Sequence, residues 1–326
     1  MPQSDNPRKS TLSIKDELSM MYTPVRISTI RPDGALSFDL YILFKDQYVK
    51  YTPKGEMIKN EVHSKLKKQK VAKFFITEED EVNYQQFLDA VLLETIENPD
   101  IAIGEKINVV DDHASHNLTQ AYKDPSNPEG FKKTESAAKN LHSLITQNKE
   151  AFKEMLTREV HDNELLIHHC LNVSTYATKL AILHECKEED QVILSLVGLL
   201  HDIGHGQLEE NHRHLFLKNK SEMSEEEKKS YDLHPEKGVE LLSKNPLITK
   251  EITDLISIHE DNLEKKGKLT LMEEILSLTN NFDKLVTFRK MSFKEALSLM
   301  SRESLGCYNM ELFNKFKQLL KLEKLL

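Results

Sequence analysis

The stretch VILSLVGLLHDIGHG, residues 192–206, constrains the fold more than any other part of the chain. Between Val192 and Leu200 only Ser195 and Gly198 interrupt the apolar side chains, so a helix here has no face to offer to water. Such a helix belongs at the centre of other helices. It is far shorter than the roughly 20 apolar residues that a membrane span needs. The run ends in His201-Asp202, and Gly204 lets the chain turn. An ionisable pair at the end of a buried apolar helix is costly unless it is partnered or bound to a metal ion. Adjacent residues on a regular helix diverge by about 100°, but at a helix end followed by glycine both can be aimed at one ion. Taken alone, the motif also fits a hydrogen-bonded His-Asp pair.

The texture of the sequence changes along its 326 residues, a length that suits two domains. Residues 1–15 read as a flexible polar tail. Residues 16–100 read as a small α+β module with a sensor or docking role. PVRIST, LSFDLYILF, QYVKYT and KVAKFFIT are its candidate strands, with turns at Pro32-Asp33-Gly34 and Pro53-Lys54-Gly55. Glu78–Leu93 follows as an amphipathic helix. Residues 101–150 read as a linker, with a mobile loop near 111–131 where DDHASHN and KDPSNPEG show few apolar residues. His113 and His116 fall there without a third ligand. From about Thr134 onward apolar residues recur at spacings of three and four. Residues 151–326 are expected to form an all-α metal-binding domain. Ten of the 14 histidines lie in it.

Composition excludes several classes. Lys+Arg is 44 and Asp+Glu is 53, a net charge of −9, which disfavours non-specific nucleic-acid binding. Three scattered cysteines, Cys170, Cys186 and Cys307, argue against a disulfide framework and against a thiolate zinc site. No segment is apolar enough for a membrane span, and MPQSDNPRKSTLS lacks the apolar core of a secretory signal. A cytoplasmic protein is expected.

Further motifs join the first one. Leu-Leu-His201-Asp202-Ile-Gly resembles the signature of HD-domain metal-dependent phosphohydrolases. His169 with Val173 four residues on, His234-Pro235-Glu236-Lys237-Gly238, Ile258-His259-Glu260 and the segment Asn280–Arg289 narrow the resemblance to the HD-GYP group of cyclic di-GMP phosphodiesterases. The resemblance covers about residues 160–305. It implies metal ligation by His169, His201, Asp202, His234, His259 and Asn280. It also implies catalytic roles for Asp202 and His205 and a phosphate contact from Arg289. The implied cofactors are two transition-metal ions, iron first and manganese or zinc as alternatives. The implied ligand is a cyclic dinucleotide, with signalling partners reached through the N-terminal module.

The departures are specific. His205 stands where the group has lysine, Ile258 where it has the first histidine of HHE, and Asn280 where it has a metal-binding aspartate. LEKKGKLT replaces the GYP stretch. His205 is expected to donate a proton to the departing oxygen, because imidazole titrates near neutral pH; a role as an extra ligand stays open beside it. His168 is the alternative to His169 by a one-residue shift. His161-Asp162 reads as a solvated pair, and LEENHRHLFLKNKSEMSEEEKKS, with His212 and His214, as a mobile insertion or lid. Two functional readings remain: a phosphodiesterase, and a degenerate module that keeps metal and signals by conformation.

Overall fold

The computed structural model describes residues 21–69, 71, 73–158, 164–303 and 306–326. The expected tail at 1–15 and the pair His161-Asp162 lie outside them. The chain divides into two units, Met1–Pro99 and Asp100–Leu326.

The first unit is an antiparallel sheet with helices. Strands β1 (Tyr22–Arg26), β2 (Leu40–Phe44), β3 (Gln47–Thr52) and β4 (Lys73–Thr77) lie in the order β1-β4-β2-β3. Alternation along β4 buries Phe74 and Ile76, and these pack with Val25, Leu40 and Phe38. Two helices complete the unit, α1 (Asn60–Lys68) and α2 (Glu81–Glu97). α2 contributes Tyr84 and Leu88 to the same core. α1 was not expected from the sequence: EVHSKLKK has little apolar content, and His63 is its only fully buried side chain.

The second unit is helical, so an α+β module followed by an all-α domain is the observed fold class. It comprises α3 (Ile103–Lys123), α4 (Pro128–Gln147), α5 (Ala151–Leu156), α6 (Leu165–Leu183), α7 (Glu188–Leu200), α8 (Glu225–Tyr231), α9 (His234–Leu242), α10 (Lys250–Ile258), α11 (Leu263–Lys266), α12 (Leu271–Asp283), α13 (Phe293–Glu303) and α14 (Met310–Leu322). The expected linker at 101–150 is therefore two long helices. Ile107, Val110, Ala114, Leu118 and Ala121 recur at helical spacing and are buried, a stripe hidden in the sequence by the polar residues between them. Asn127 caps α4, accepting from the amide of Glu129 at 2.9 Å, with Pro128 in the first turn.

α7 is the apolar run, and Leu194–Leu200 are all buried. It lies against α6 so closely that a methyl group on Gly198 would stand 2.5 Å from the Cα of Ser174. Beyond α7, residues 203–223 form a strap of short 3-10 turns rather than open loop. Leu215 and Met223 fasten it by packing on Tyr231. Among the described residues no helix is long and apolar enough to cross a membrane.

Candidate metal centre

Five imidazoles surround one carboxylate at the end of α7. His201 follows the last residue of α7 and His259 the last residue of α10, while His234 opens α9 and His169 lies within α6. The last carbonyls of a helix have no amide partner in the helix itself. His201 uses one of them, donating from Nδ1 to Gly198 O at 2.8 Å, and His259 does the same to Ile256 O at 2.7 Å. His234 Nδ1 donates to Tyr231 O at 2.6 Å, and His169 Nδ1 to Asp283 Oδ2 at 2.7 Å. A carbonyl or carboxylate oxygen can only accept, so all four rings carry the proton on Nδ1, and in its neutral form each presents a lone pair at Nε2.

Those lone pairs converge on Asp202 from two sides. His169 and His201 place Nε2 3.5 Å from Oδ2, and His234 and His259 place Nε2 3.3 Å from Oδ1. The first two Nε2 atoms are 3.2 Å apart and the second two 2.9 Å. Asn280 brings Oδ1 to 3.1 Å from His169 Nε2, and Glu260 brings Oε1 to 3.6 and 3.7 Å from Nε2 of His259 and His234. The Asn280 amide is oriented by its Nδ2, which donates at 3.2 Å to both the His259 carbonyl and Glu260 Oε1.

This arrangement fits metal ions and fits little else. Lone pairs facing each other near 3 Å repel unless a cation lies between them. Both Asp202 oxygens are buried without a hydrogen bond. Four donors about 2.1 Å from a tetrahedral ion stand roughly 3.4 Å from one another, which is the spacing seen here. Two half-sites result, His169, His201, Asp202 and Asn280 on one side and Asp202, His234, His259 and Glu260 on the other. A proton is a poor substitute for the ions. Burial holds His201 well below the ordinary imidazole range and His234 at about 4. Burial would raise the Asp202 carboxyl, but the imidazoles packed around it hold it well below the ordinary carboxylate range.

The structure thus brings together His169, His201, Asp202, His234, His259 and Asn280. His168 turns away, its Nε2 meeting Asn172 at 3.1 Å. His205 stacks on His234 with ring centroids 4.1 Å apart, its Nε2 3.7 Å from Asp202 Oδ1. Burial keeps His205 well below the ordinary imidazole pKa. Arg289 is not brought to the donors: its guanidinium donates to the carbonyls of Leu217, at 2.9 Å, and Lys218 in the strap. His113 and His116 lie on α3 outside both half-sites. Sequence reading missed Glu260 as a donor, Asp283 as the partner of His169, and Lys284, which pairs with Glu260. The spacing of Asn280, Asp283 and Lys284 at i, i+3 and i+4 was the available signal.

Residues 166–285 match the family model described as HD domain. Over this segment the chain is similar to HD domains. The segment's limits take in every donor of the two half-sites, from His169 on α6 to Asn280 on α12. No curated protein matches the chain by sequence. Among solved structures, Bd1817, described as a HDG"Y"P protein from Bdellovibrio bacteriovorus, superposes with a TM-score of 0.75 at 22% identity. The match covers 92% of this chain and 99% of that one, and at this identity it is a likeness of fold. HD domains bind divalent metals, and the His/Asp clusters of this chain could hold them.

Proposed function

We propose that the chain is a divergent HD-GYP-type phosphodiesterase that holds two transition-metal ions and hydrolyses a cyclic dinucleotide, cyclic di-GMP foremost. The observation that carries this reading is Asp202, whose two oxygens each face a separate pair of imidazole lone pairs. A carboxylate placed in this way would help to hold both ions. Imidazole and carboxylate donors suit iron, manganese or zinc better than calcium, with iron the first choice. Two such ions supply Lewis-acid stabilisation of the charge that develops on a phosphodiester during hydrolysis. The chain's own residues contribute preorganisation. Three rings are locked by carbonyls of their own helix ends or turn, and Asp283 locks the fourth. His205 walls the second half-site and offers a ring nitrogen as ligand or hydrogen-bond partner. Arg289 is suited to a bidentate grip on phosphate once it leaves the strap carbonyls. The likeness of fold to Bd1817, described as a HDG"Y"P protein, is compatible with this reading.

The engagement of Arg289 by the strap favours a second reading, a module that binds metal and nucleotide without turnover and signals through partners of the N-terminal unit. One experiment separates the two. The purified protein is analysed for metal, then incubated with cyclic di-GMP and Mn²⁺ or Fe²⁺, and the products are resolved by chromatography. Close to two ions per chain and metal-dependent linear dinucleotide are expected, both abolished by combining His201→Ala with Asp202→Ala. Stoichiometric metal in that double variant sinks the assignment. Nucleotide bound but never cleaved establishes the second reading.

A further inference from the structure

One oxygen, Glu260 Oε1, is claimed twice. It faces Nε2 of His234 and His259 at 3.7 and 3.6 Å, as the fourth donor of the second half-site. The same atom accepts from the Lys284 ammonium, from Asn280 Nδ2 at 3.2 Å and from the Tyr231 hydroxyl at 3.4 Å. Lys284 begins the wide π-helical turn Lys284–Phe288 that follows α12, directly after Asp283, which holds His169. Its side chain is only 15% exposed. Nζ also donates to the Tyr231 hydroxyl at 2.7 Å and lies 5.4 Å from the centre of that ring. Among the described residues Glu260 is the only carboxylate within 4 Å of Lys284. Among the described residues no lysine or arginine pairs with a donor of the first half-site: His169 and His201 meet each other, Asp202, Asn280, Asp283 and the Gly198 carbonyl.

We infer that Lys284 is a built-in competitor of the second metal ion, its ammonium occupying Glu260 Oε1 until an ion held by Asp202, His234 and His259 takes that oxygen over. The inference rests on the two-ion reading above. An ammonium and a divalent ion in contact with the same oxygen repel each other, and burial strengthens the repulsion. Either Lys284 cedes the oxygen and stays tethered to the Tyr231 hydroxyl, or the ion binds without its fourth donor. In both cases binding to the second half-site competes with an ammonium paired to one of its own donors, and binding to the first does not. The two ions therefore bind in order and with unequal affinity. Lys284 also neutralises Glu260 in the metal-free protein, which keeps the half-site folded before loading.

The test uses the full chain, stripped by a chelator and titrated with Mn²⁺ alone by calorimetry, with electron paramagnetic resonance reporting the coupled ion pair. Lys284→Met should tighten the second step by roughly tenfold or more and leave the first within about twofold. Lys284→Arg, which keeps the charge, should behave like the wild type. In a Glu260→Gln background the Lys284→Met tightening should vanish, because the oxygen in dispute is no longer anionic. Lys284→Gln, which still donates to Tyr231, takes the place of the methionine variant if that one does not fold. A second step that is unmoved or weakened in folded, neutral Lys284 variants overturns the competition while leaving the two-ion reading intact. Tightening that persists with Glu260→Gln overturns it equally. Saturation at one ion in both wild type and Lys284→Met overturns the two-ion reading itself, whereas one ion in the wild type and two in the variant is the competition in its strongest form.

Discussion

At the scale of single residues, the centre depends on which atoms are allowed to carry protons. Asn280 shows this most directly: its Nδ2 donates to the His259 carbonyl and to Glu260 while its Oδ1 faces His169. Asn280→Asp removes both donations and sets a carboxylate against a carboxylate, so the metal-free protein should lose about 1–3 kcal/mol. With metal the new charge becomes useful. Thermal unfolding with chelator and with Mn²⁺ should give a larger metal-induced rise in Tm for the variant than for the wild type, and equal rises would mean that Asn280 faces no ion. Asp283 acts one step further out, accepting from His169 Nδ1, from Thr287 Oγ1 at 2.8 Å and from Asn172 Nδ2 at 2.9 Å. Asp283→Asn should weaken metal binding by about 10–100-fold with little change of fold, as read by titration calorimetry. Burial lowers the pKa of His201, His205 and His234, the last to about 4 from 6.5. Between pH 6.5 and 4 the unfolded chain therefore binds more protons than the folded one, and stability falls as pH falls. Chelated protein should show a Tm that drops steadily across that window. A flat profile would mean that these rings are not held neutral.

At the scale of elements, the half-sites are assembled by close approach of backbones. A methyl group on Gly204 would collide with the carbonyl of His234 and stand 2.6 Å from the amide nitrogen of Gly238, so the turn after α7 can meet α9 only if it carries no side chain there. Gly204→Ala should cost about 3 kcal/mol or more and move His234 off Asp202, lowering both Tm and metal content. Gly206→Ala is the control, because nothing lies within 4 Å of its Cβ position. Equal effects from the two substitutions would deny the close approach any role. The strap belongs to the same scale. Its turns are fixed by Leu215 and Met223 on Tyr231, by a capping box at Asn219 and Glu222, and by Arg289 on its carbonyls.

At the scale of the whole molecule, the unit that should fold by itself is Asp100–Leu326. α3 and α4 are part of its core: the Tyr122 hydroxyl meets Cys170 Sγ at 3.3 Å, and Ser195 on α7 donates to the carbonyl of Ala138 on α4 at 3.1 Å. A fragment of residues 100–326 should be monodisperse, melt cooperatively and bind metal. One of residues 134–326, which the helical periodicity alone would suggest, should aggregate because it lacks α3 and the first turns of α4. Size-exclusion chromatography and circular dichroism decide between them. A soluble, metal-binding 134–326 fragment would show that α3 is dispensable.

The sequence by itself determined the central helix, the fold class and most of the residues that the fold gathers around Asp202. Val192–Leu200 has no polar face and must be buried, and a histidine beside an aspartate at the end of such a helix needs a partner or a cation. The motifs carrying His169, His234 and His259 have local spacings that survive without coordinates. Other features were decided only by the tertiary structure. α3 was concealed because Asp111, Asp112, His113 and His116 interrupt its apolar stripe, and polar side chains can line a buried helix only when the rest of the domain supplies their partners. Glu260 became a donor through the place where α10 ends relative to α9. Arg289 was drawn to the strap by carbonyls some seventy residues earlier in the chain. Lys284 meets Glu260 because a π turn closes α12. Local patterns follow from the periodicity of one segment, whereas the direction of a long charged side chain depends on which other segment supplies its partner, and that is fixed only when the segments pack.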